Sequence, residues 1–225
     1  MQPYFFPYIG YFQLLNSVDK FVIYDDVNFI KGGWINRNLI LLNGDKSYIN
    51  VLMNGSSSFK KINEIKIDKN RYKSIFKIEQ AYKNAPYFHE FFPVLKEIIL
   101  NDSDQLSIYL TNSIKKISNY LGINTEFYLS SNIEKDNNLK GQDKVIEICK
   151  KLNSSIYINS IGGKQLYSKN DFLNENIDLK YIKSNEIIYN QFNELFISNL
   201  SIIDVLMFNN KENIKVFLND FELID

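Results

Sequence analysis

Strand-like and helix-like segments alternate over the second half of the chain, and this alternation constrains the fold more than any other feature. The strand-like segments are "NTEFYLSS" (124–131), "SIYINS" (155–160) and "IDLKYI" (177–182), and a helical pattern covers 143–152. Strands separated by helices are typical of parallel sheets whose crossover helices cover the faces. We therefore predict an α/β fold with a mainly parallel sheet and helices on both faces.

The first half adds a β-hairpin and a helical portion. "KFVIYDD" (20–26) has the pattern of a buried strand, and Asn43-Gly44 predicts a hairpin turn within 38–53. Helical periodicity covers three further segments: 70–83, 87–100 and 102–122. A chain of 225 residues with 45% hydrophobic residues can bury one core. We predict a single domain over 1–225, with a helical subdomain at about 70–122 as the alternative organisation.

Composition excludes several classes of protein. The chain has one cysteine, Cys149, and one histidine, His89, which excludes an internal disulfide and the usual Cys- or His-based metal clusters. We therefore assign no metal site. Lys plus Arg and Asp plus Glu both number 26, so no overall positive field would collect nucleic acid. No apolar run has the length of a membrane span, and we expect a cytoplasmic protein.

The opening stretch "MQPYFFPYIGYFQLL" combines many aromatic residues with two prolines. Because proline is tolerated in the first turn of a helix, we predict a loop over 2–6 and a helix from near Pro7 to about Val18. The stretch is either an aromatic subcore, which composition favours, or the wall of a binding site. The wall would use three polar side chains and a glycine that allows close backbone approach: Gln2, Tyr4, Tyr11 and Gly10.

Asp25 and Asp26 follow the predicted strand at 20–26. Paired carboxylates at the carboxyl end of a strand can bind a cation or act as a base, and they can also simply cap a turn.

The next segment, "KGGWINRN" (31–38), carries a cation near each end, Lys31 and Arg37. Between them lie an indole, Trp34, and an amide, Asn36. The segment would grip a phosphate or carboxylate, or form a solvated loop with one buried tryptophan.

Two later loops follow predicted strands. Gly162-Gly163 in "NSIGGKQLYS" (159–168) could offer backbone N–H groups to an anion or form an ordinary tight turn. Ser130-Ser131 begin "SSNIEKDNNLKGQDK" (130–144), which could order around phosphate or be only a loop. Because the carboxyl ends of strands in α/β sheets converge, we expect Asp25, the loop 31–37 and the two glycines to line one cleft.

Several motifs in series resemble the WbqC-like protein family: "QPYFFPYIGYFQL", "DKFVIYDDVNFIKGGWINRN", "SIGGKQLYS" and "IYNQF". The resemblance covers essentially the whole chain and implies a cytoplasmic step that tailors an activated sugar for O-antigen or other surface glycans. Members usually have a short strand of the type "xIAI" before Gln-Pro, for which the sequence from Met1 has no room. We expect the sequence to be shortened there or its start to be misassigned.

A second, more distant likeness is to the HIGH-motif nucleotidyl-transferase fold, in which a strand–loop–helix corner cradles ATP phosphates. The opening prolines and glycine are similar to that corner, with Tyr11 in the place of its last histidine. Ser130-Ser131 with Lys144 are similar to the second phosphate loop of that fold. This likeness implies a pocket for a ring and its phosphates.

The resemblances together imply a transferase that forms an amide on the amino group of a nucleotide-linked amino sugar. Its donor would be activated on an acyl carrier protein, as an acyl adenylate, or through ATP. Asp25 or Asp26 would act as base, with Tyr11 as the third catalytic candidate, and Lys31 and Arg37 would hold phosphates. The remaining substrate-binding candidates are Gln2, Tyr4, Gly10, Trp34, Asn36, Ser130, Ser131, Gly162, Gly163, Tyr189 and Gln191. The alternatives are a glycan-binding or scaffold subunit and a nucleotidyl-transferase-like enzyme.

Overall fold

The computed structural model describes residues 1–192 and 195–225 and confirms an α/β fold. The helices of the described residues are α1 (Ile9–Asn16), α2 (Tyr72–Tyr82), α3 (Phe88–Ile99), α4 (Leu106–Leu121), α5 (Gly141–Lys151), α6 (Lys169–Asn174), α7 (Ile202–Phe208) and α8 (Lys211–Leu218). The strands are β1 (Lys20–Ile23), β2 (Arg37–Leu42), β3 (Asp45–Asn50), β4 (Met53–Asn54), β5 (Lys66–Ile67), β6 (Glu126–Leu129), β7 (Ile156–Ser160), β8 (Asp178–Ser184) and β9 (Phe221–Ile224).

Parallel pairing joins strands that are far apart in sequence. β1 pairs with β6 in a register that sets Ile23 opposite Leu129, and β7 pairs with β8. The antiparallel strand β9 extends the second sheet along β8, and its pairing is absent from the predicted elements. The backbone of Met1 borders β1, because its nitrogen donates to Val22 O and its carbonyl accepts from Tyr24 N. The carboxyl ends of β1 and β6 therefore lie side by side.

The hairpin of β2 and β3 forms where the sequence predicts it. Asn43 and Gly44 have φ angles of 53° and 86°, as a type I′ turn requires. Leu42 pairs with Asp45 across this turn. The local turn chemistry is therefore sufficient to fix the register of the hairpin.

Helices α2 to α4 confirm the helical portion, and their apolar faces join the opening stretch in one large core. Ile78, Leu95 and Ile114 belong to the same buried cluster as Phe5 and Phe12. A second, smaller cluster lies between α5, α6, β7 and β8 and includes Cys149. Burial raises the pKa of this thiol to about 11, which agrees with a structural cysteine. Within 1–192 and 195–225, no helix is long and apolar enough to cross a bilayer.

Candidate functional site

Asp25 lies just beyond the end of β1 and binds the segment that follows β6. The paired strands end side by side at Ile23 and Leu129, and Asp25 and Ser131 each lie two residues beyond those ends. Asp25 Oδ1 accepts from Ser131 N at 3.0 Å, and its Oδ2 accepts from Ser131 Oγ at 2.8 Å. Asp25 is buried, and both of its carboxylate oxygens are engaged by one serine.

Asp26 is paired with two lysines. Its Oδ2 atom lies 2.8 Å from Lys144 Nζ and 3.1 Å from Lys135 Nζ, and all three side chains are buried. Lys135 also donates to the carbonyls of Ser130 and Ile133. Burial acts to raise the pKa of Asp26, but contacts from Lys144, Ser130 and Lys135 outweigh it and lower the pKa below its ordinary value. Asp26 is therefore held as a buried anion.

Two polar atoms in this cluster have no well-aligned partner among the described residues. Asp26 Oδ1 and Ser130 Oγ are both buried without a hydrogen bond of acceptable geometry. The Ser130 hydroxyl is close enough to lower the pKa of Asp26, although the two groups do not meet the geometry of a hydrogen bond. Leaving buried polar atoms unsatisfied is costly, so these two atoms mark the place in the cluster that could receive a further polar group.

Tyr24 connects the cluster to the segment after β7. Lys144 Nζ lies 5.1 Å from the centre of the Tyr24 ring. Burial, together with nearby Asp26 and Tyr167, raises the pKa of Tyr24 to about 12. Next to Lys144 on α5, the Gln142 side chain accepts from Ser168 N at 2.5 Å. The loops 130–144 and 159–168 therefore meet through Gln142 and Ser168.

Gly162 and Gly163 lie in a 3₁₀ turn directly after β7. A Cβ atom on Gly163 would come 2.5 Å from Asn159 Nδ2 and would require that side chain to move, while Gly162 faces open space. No contact among the described residues joins either glycine to Asp25 or Asp26. That these glycines share a cleft with the acids stays a prediction.

The opening stretch is mainly core, as its aromatic content favours. Phe5, Phe6, Tyr11 and Phe12 are buried, and the hydroxyl of Tyr11 donates to Gln2 O at 3.1 Å. Burial raises the pKa of Tyr11 well above its ordinary value. In this position the Tyr11 hydroxyl orients the loop rather than facing solvent, and its catalytic role stays a prediction.

The loop itself is tied down by side chains from distant elements. Asn38 Nδ2 donates to the carbonyls of Phe5 and Phe6, and Ser201 Oγ donates to Phe6 O. Gln2 and Tyr4 are half-buried at the rim of this anchored loop, where a ligand could reach them.

Gly10 permits a close approach between α1 and the end of β8. A Cβ atom there would lie 2.3 Å from the Tyr8 ring and 2.7 Å from Ser184 Oγ. This close approach is made within the chain, to Tyr8 and Ser184, and an approach of Gly10 to a ligand stays a prediction. A Cβ atom at this position would require the Tyr8 ring and the Ser184 side chain to move.

Lys31, Asn36 and Arg37 line an open groove with a volume of about 490 Å³. The Arg37 guanidinium donates to the carbonyls of Gly32 and Gly33 and stacks on the Tyr48 ring at 4.5 Å. Lys31 has no partner in the part of the chain that the structure describes. Trp34 beside them is 43% exposed, which contradicts the alternative of a loop with a buried tryptophan.

Tyr189 and Gln191 lie around a different carboxylate, Asp204 on α7. Asp204 Oδ1 accepts from Tyr189 OH and from Gln191 Nε2, each at 2.7 Å, and Oδ2 accepts from Tyr82 OH at 2.8 Å. Burial raises the pKa of Asp204, although these three hydrogen bonds act in the opposite direction. Tyr189 and Gln191 therefore tie the segment before α7 to the core, and a contact of theirs with substrate stays a prediction.

Sequence patterns did not identify Lys135 or Asp204. Lys135 lies in a polar loop whose charges have the appearance of a solvated surface, and Asp204 lies in an apolar helix. An isolated acid in an apolar run is the one signal that could have pointed to Asp204, because a buried carboxylate needs partners. Lys144, in contrast, belongs to the second phosphate loop that the distant likeness implies.

Comparison with known proteins gives a family and one uncharacterized relative. The model of the WbqC-like protein family matches residues 2–216. The chain is 33% identical to Rv1507c, an uncharacterized protein of Mycobacterium tuberculosis (strain ATCC 25618 / H37Rv), over 129 residues. This aligned region covers 56% of each chain. The chain therefore spans a little over half the length of this relative. No solved structure matches the chain.

Proposed function

We propose that this chain, which belongs to the WbqC-like protein family, is a cytoplasmic transferase of surface-glycan (O-antigen) biosynthesis. Its reaction would form an amide on the amino group of a nucleotide-linked amino sugar. The family supports a biosynthetic role, and the observation that carries the chemistry is the buried, charged Asp26 with its unpartnered Oδ1 at the carboxyl ends of β1 and β6.

Asp26 suits the base better than Asp25 does. Both oxygens of Asp25 accept hydrogen bonds from Ser131, whereas Asp26 has an oxygen free to accept one from the substrate amine. The amine nitrogen attacks the acyl carbon, and an N–C bond forms. The bond from that carbon to the sulfur or phosphate oxygen of the leaving group breaks, and the leaving atom keeps the electron pair. The nitrogen becomes strongly acidic as the N–C bond forms, and its proton passes to Asp26.

Access to Asp26 requires a movement of the chain. Asp26 is only 7% exposed, and Lys135 and Lys144 lie on either side of the segment 136–140. Most residues of that segment are exposed, so few contacts hold it in place. The proposal therefore includes displacement of 136–140 when substrate binds.

The groove around Lys31 suits the diphosphate of the nucleotide. Lys31 is exposed and unpaired in the described part of the chain, and Asn36 and Arg37 supply further donors. The backbone carbonyls and the Tyr48 ring hold the Arg37 fork in one orientation, which reduces the entropy lost on binding an anion.

A second candidate is a glycan-binding or scaffold subunit of the same pathway. It is favoured by Trp34, whose 43% exposed ring lies in the loop that lines the groove. Aromatic faces stack on sugar rings, and such binding needs no base.

Mass spectrometry tests the choice between these functions. The protein is incubated with a panel of nucleotide-linked amino sugars and either acyl adenylates or acylated carrier protein, and the mixture is searched for the mass of the amide. The transferase predicts one sugar that gains the acyl mass only when protein and donor are both present. Binding of a sugar by calorimetry without any amide product would favour the glycan-binding subunit.

A further inference from the structure

Positive charge is concentrated in one stretch of a chain that is neutral overall. Residues 46–77 contain eight cationic side chains and two acidic ones, while the whole chain has 26 of each sign. The rest of the chain is correspondingly acidic. Such a separation of charge favours an interaction with an acidic partner.

Strand β3 and helix α2 form a surface from this stretch, which we call the β3–α2 face. Ser74 Oγ on α2 donates to Asn50 O at 2.9 Å, and Lys77 Nζ donates to Tyr48 O at 2.6 Å, so the two elements lie side by side. Lys46 and Lys73 are exposed on it and have no partner in the described residues. These two elements carry three lysines, Lys46, Lys73 and Lys77, and two acids, Asp45 and Glu79, so the cations exceed the acids by one.

Aromatic side chains stand among these cations. Phe76 is 65% exposed, Tyr72 is 56% exposed, and their ring centres lie 6.5 Å apart on successive turns of α2. Tyr48 is 45% exposed on the neighbouring strand. Large apolar side chains grouped on a surface commonly mark a protein–protein interface, where aromatic residues provide much of the binding energy.

The face adjoins the groove that we propose for the nucleotide. Tyr48 lines that groove, stacks against Arg37 and also holds Lys77 of α2 through its carbonyl. A partner bound on the face would therefore sit next to the substrate. Elsewhere in the stretch, one groove holds three lysines and three acids, so its charges cancel and we place the contact on the α2 half; these residues are Lys60, Lys66, Lys69, Glu64, Asp68 and Asp104.

We infer that the β3–α2 face docks an acidic acyl carrier protein, which delivers the acyl group to the amine. This inference rests on the proposed function, because it chooses the carrier among the activated donors considered for that reaction. Acidic side chains of the carrier would face Lys46 and Lys73, and its apolar side chains would cover Tyr72 and Phe76. An anionic membrane and a single-stranded nucleic acid are the competing occupants of such a surface.

A pair of double variants tests the inference. Lys73→Glu with Phe76→Ser alters the face, and Lys215→Glu with Val216→Ser makes the same kind of change on α8, where Val216 is 67% exposed. The full chain and both variants are titrated with a bacterial acyl carrier protein in its phosphopantetheinylated form, with phosphatidylglycerol vesicles and with a single-stranded oligonucleotide. Circular dichroism confirms that both variants are folded.

We expect the carrier to bind the unaltered chain, to bind the α8 variant equally well, and to lose at least tenfold in affinity with the face variant. Absence of carrier binding, equal binding by both variants, or face-dependent binding of only vesicles or oligonucleotide would overturn the inference. Adding acyl adenylate to the same preparations tests the proposed transferase activity independently of carrier docking. Amide formation without carrier binding removes only the docking inference, whereas carrier binding without amide from any donor removes only the transferase.

Discussion

Asp26 and Asp204 are both buried carboxylates, but their partners differ in charge. Asp26 contacts two lysines, and its pKa is lowered. Asp204 accepts from two tyrosines and a glutamine, all neutral, and its pKa is raised. Hydrogen bonds from neutral donors do not fully offset the loss of hydration of a charge, whereas ammonium groups do. The first arrangement preserves a charge for use at neutral pH, and the second stabilises the packing of α7.

The largest expected effect is on stability when the anion between the lysines is removed. Asp26→Ala leaves Lys135 and Lys144 buried without their common partner. We expect a loss of about 3–5 kcal/mol in the free energy of unfolding, the usual cost of breaking a buried ion pair from one side. Urea denaturation of the variant measures it, and a loss below about 1 kcal/mol would show that the lysines find water instead.

Asp204→Asn should lower the free energy of unfolding by less than Asp26→Ala does. The amide still accepts from Tyr189 and Gln191, but its NH₂ group faces Tyr82, whose hydroxyl then has no acceptor. We expect a loss of about 1–3 kcal/mol, the penalty for one unsatisfied buried group. The same urea titration measures this loss. A larger loss than that of Asp26→Ala would reverse the ranking of the two sites.

The pH dependence of stability should have opposite signs at the two acids. The contribution of Asp26, whose pKa is lowered, is present above the ordinary aspartate pKa of about 4 and is lost as pH falls through the lowered value. The contribution of Asp204, whose pKa is raised, is present below about pH 4 and is lost as pH rises through the raised value.

Urea denaturation of wild type, Asp26→Asn and Asp204→Asn between pH 3 and 7 measures the pH-dependent contribution of each acid to stability. The stability difference between wild type and Asp26→Asn should shrink toward acid pH, and the difference for Asp204→Asn should grow in favour of wild type. Two differences that change in the same direction would mean that folding shifts the pKa values of both acids in the same direction, which contradicts the contrast between the two sites.

The sequence predicts those elements whose cause is local. The hairpin at Asn43-Gly44 depends on backbone conformations that asparagine and glycine adopt readily, and the sequence predicts it. The end of α4 at Gly122, where φ is 74°, has a local cause of the same kind. The acids at 25–26 were identified because they follow a strand directly. Pairings between distant residues carry no local signal: Asp26 meets Lys144 across 118 residues, and Tyr82 meets Asp204 across 122. For the same reason, periodicity did not indicate the pairing of β9 with β8.

The rate of amide formation in the two asparagine variants tests the assignment of the site most directly. Once a substrate pair is known, both variants are assayed by mass spectrometry at a pH and temperature where circular dichroism shows each to be folded. If Asp26 accepts the proton, Asp26→Asn should lose about 10²- to 10⁴-fold in rate, as removal of a general base does, while Asp204→Asn stays within a few fold of wild type. An active Asp26→Asn variant, or an equal loss in both variants, would contradict the placement of the reaction at the carboxyl ends of β1 and β6.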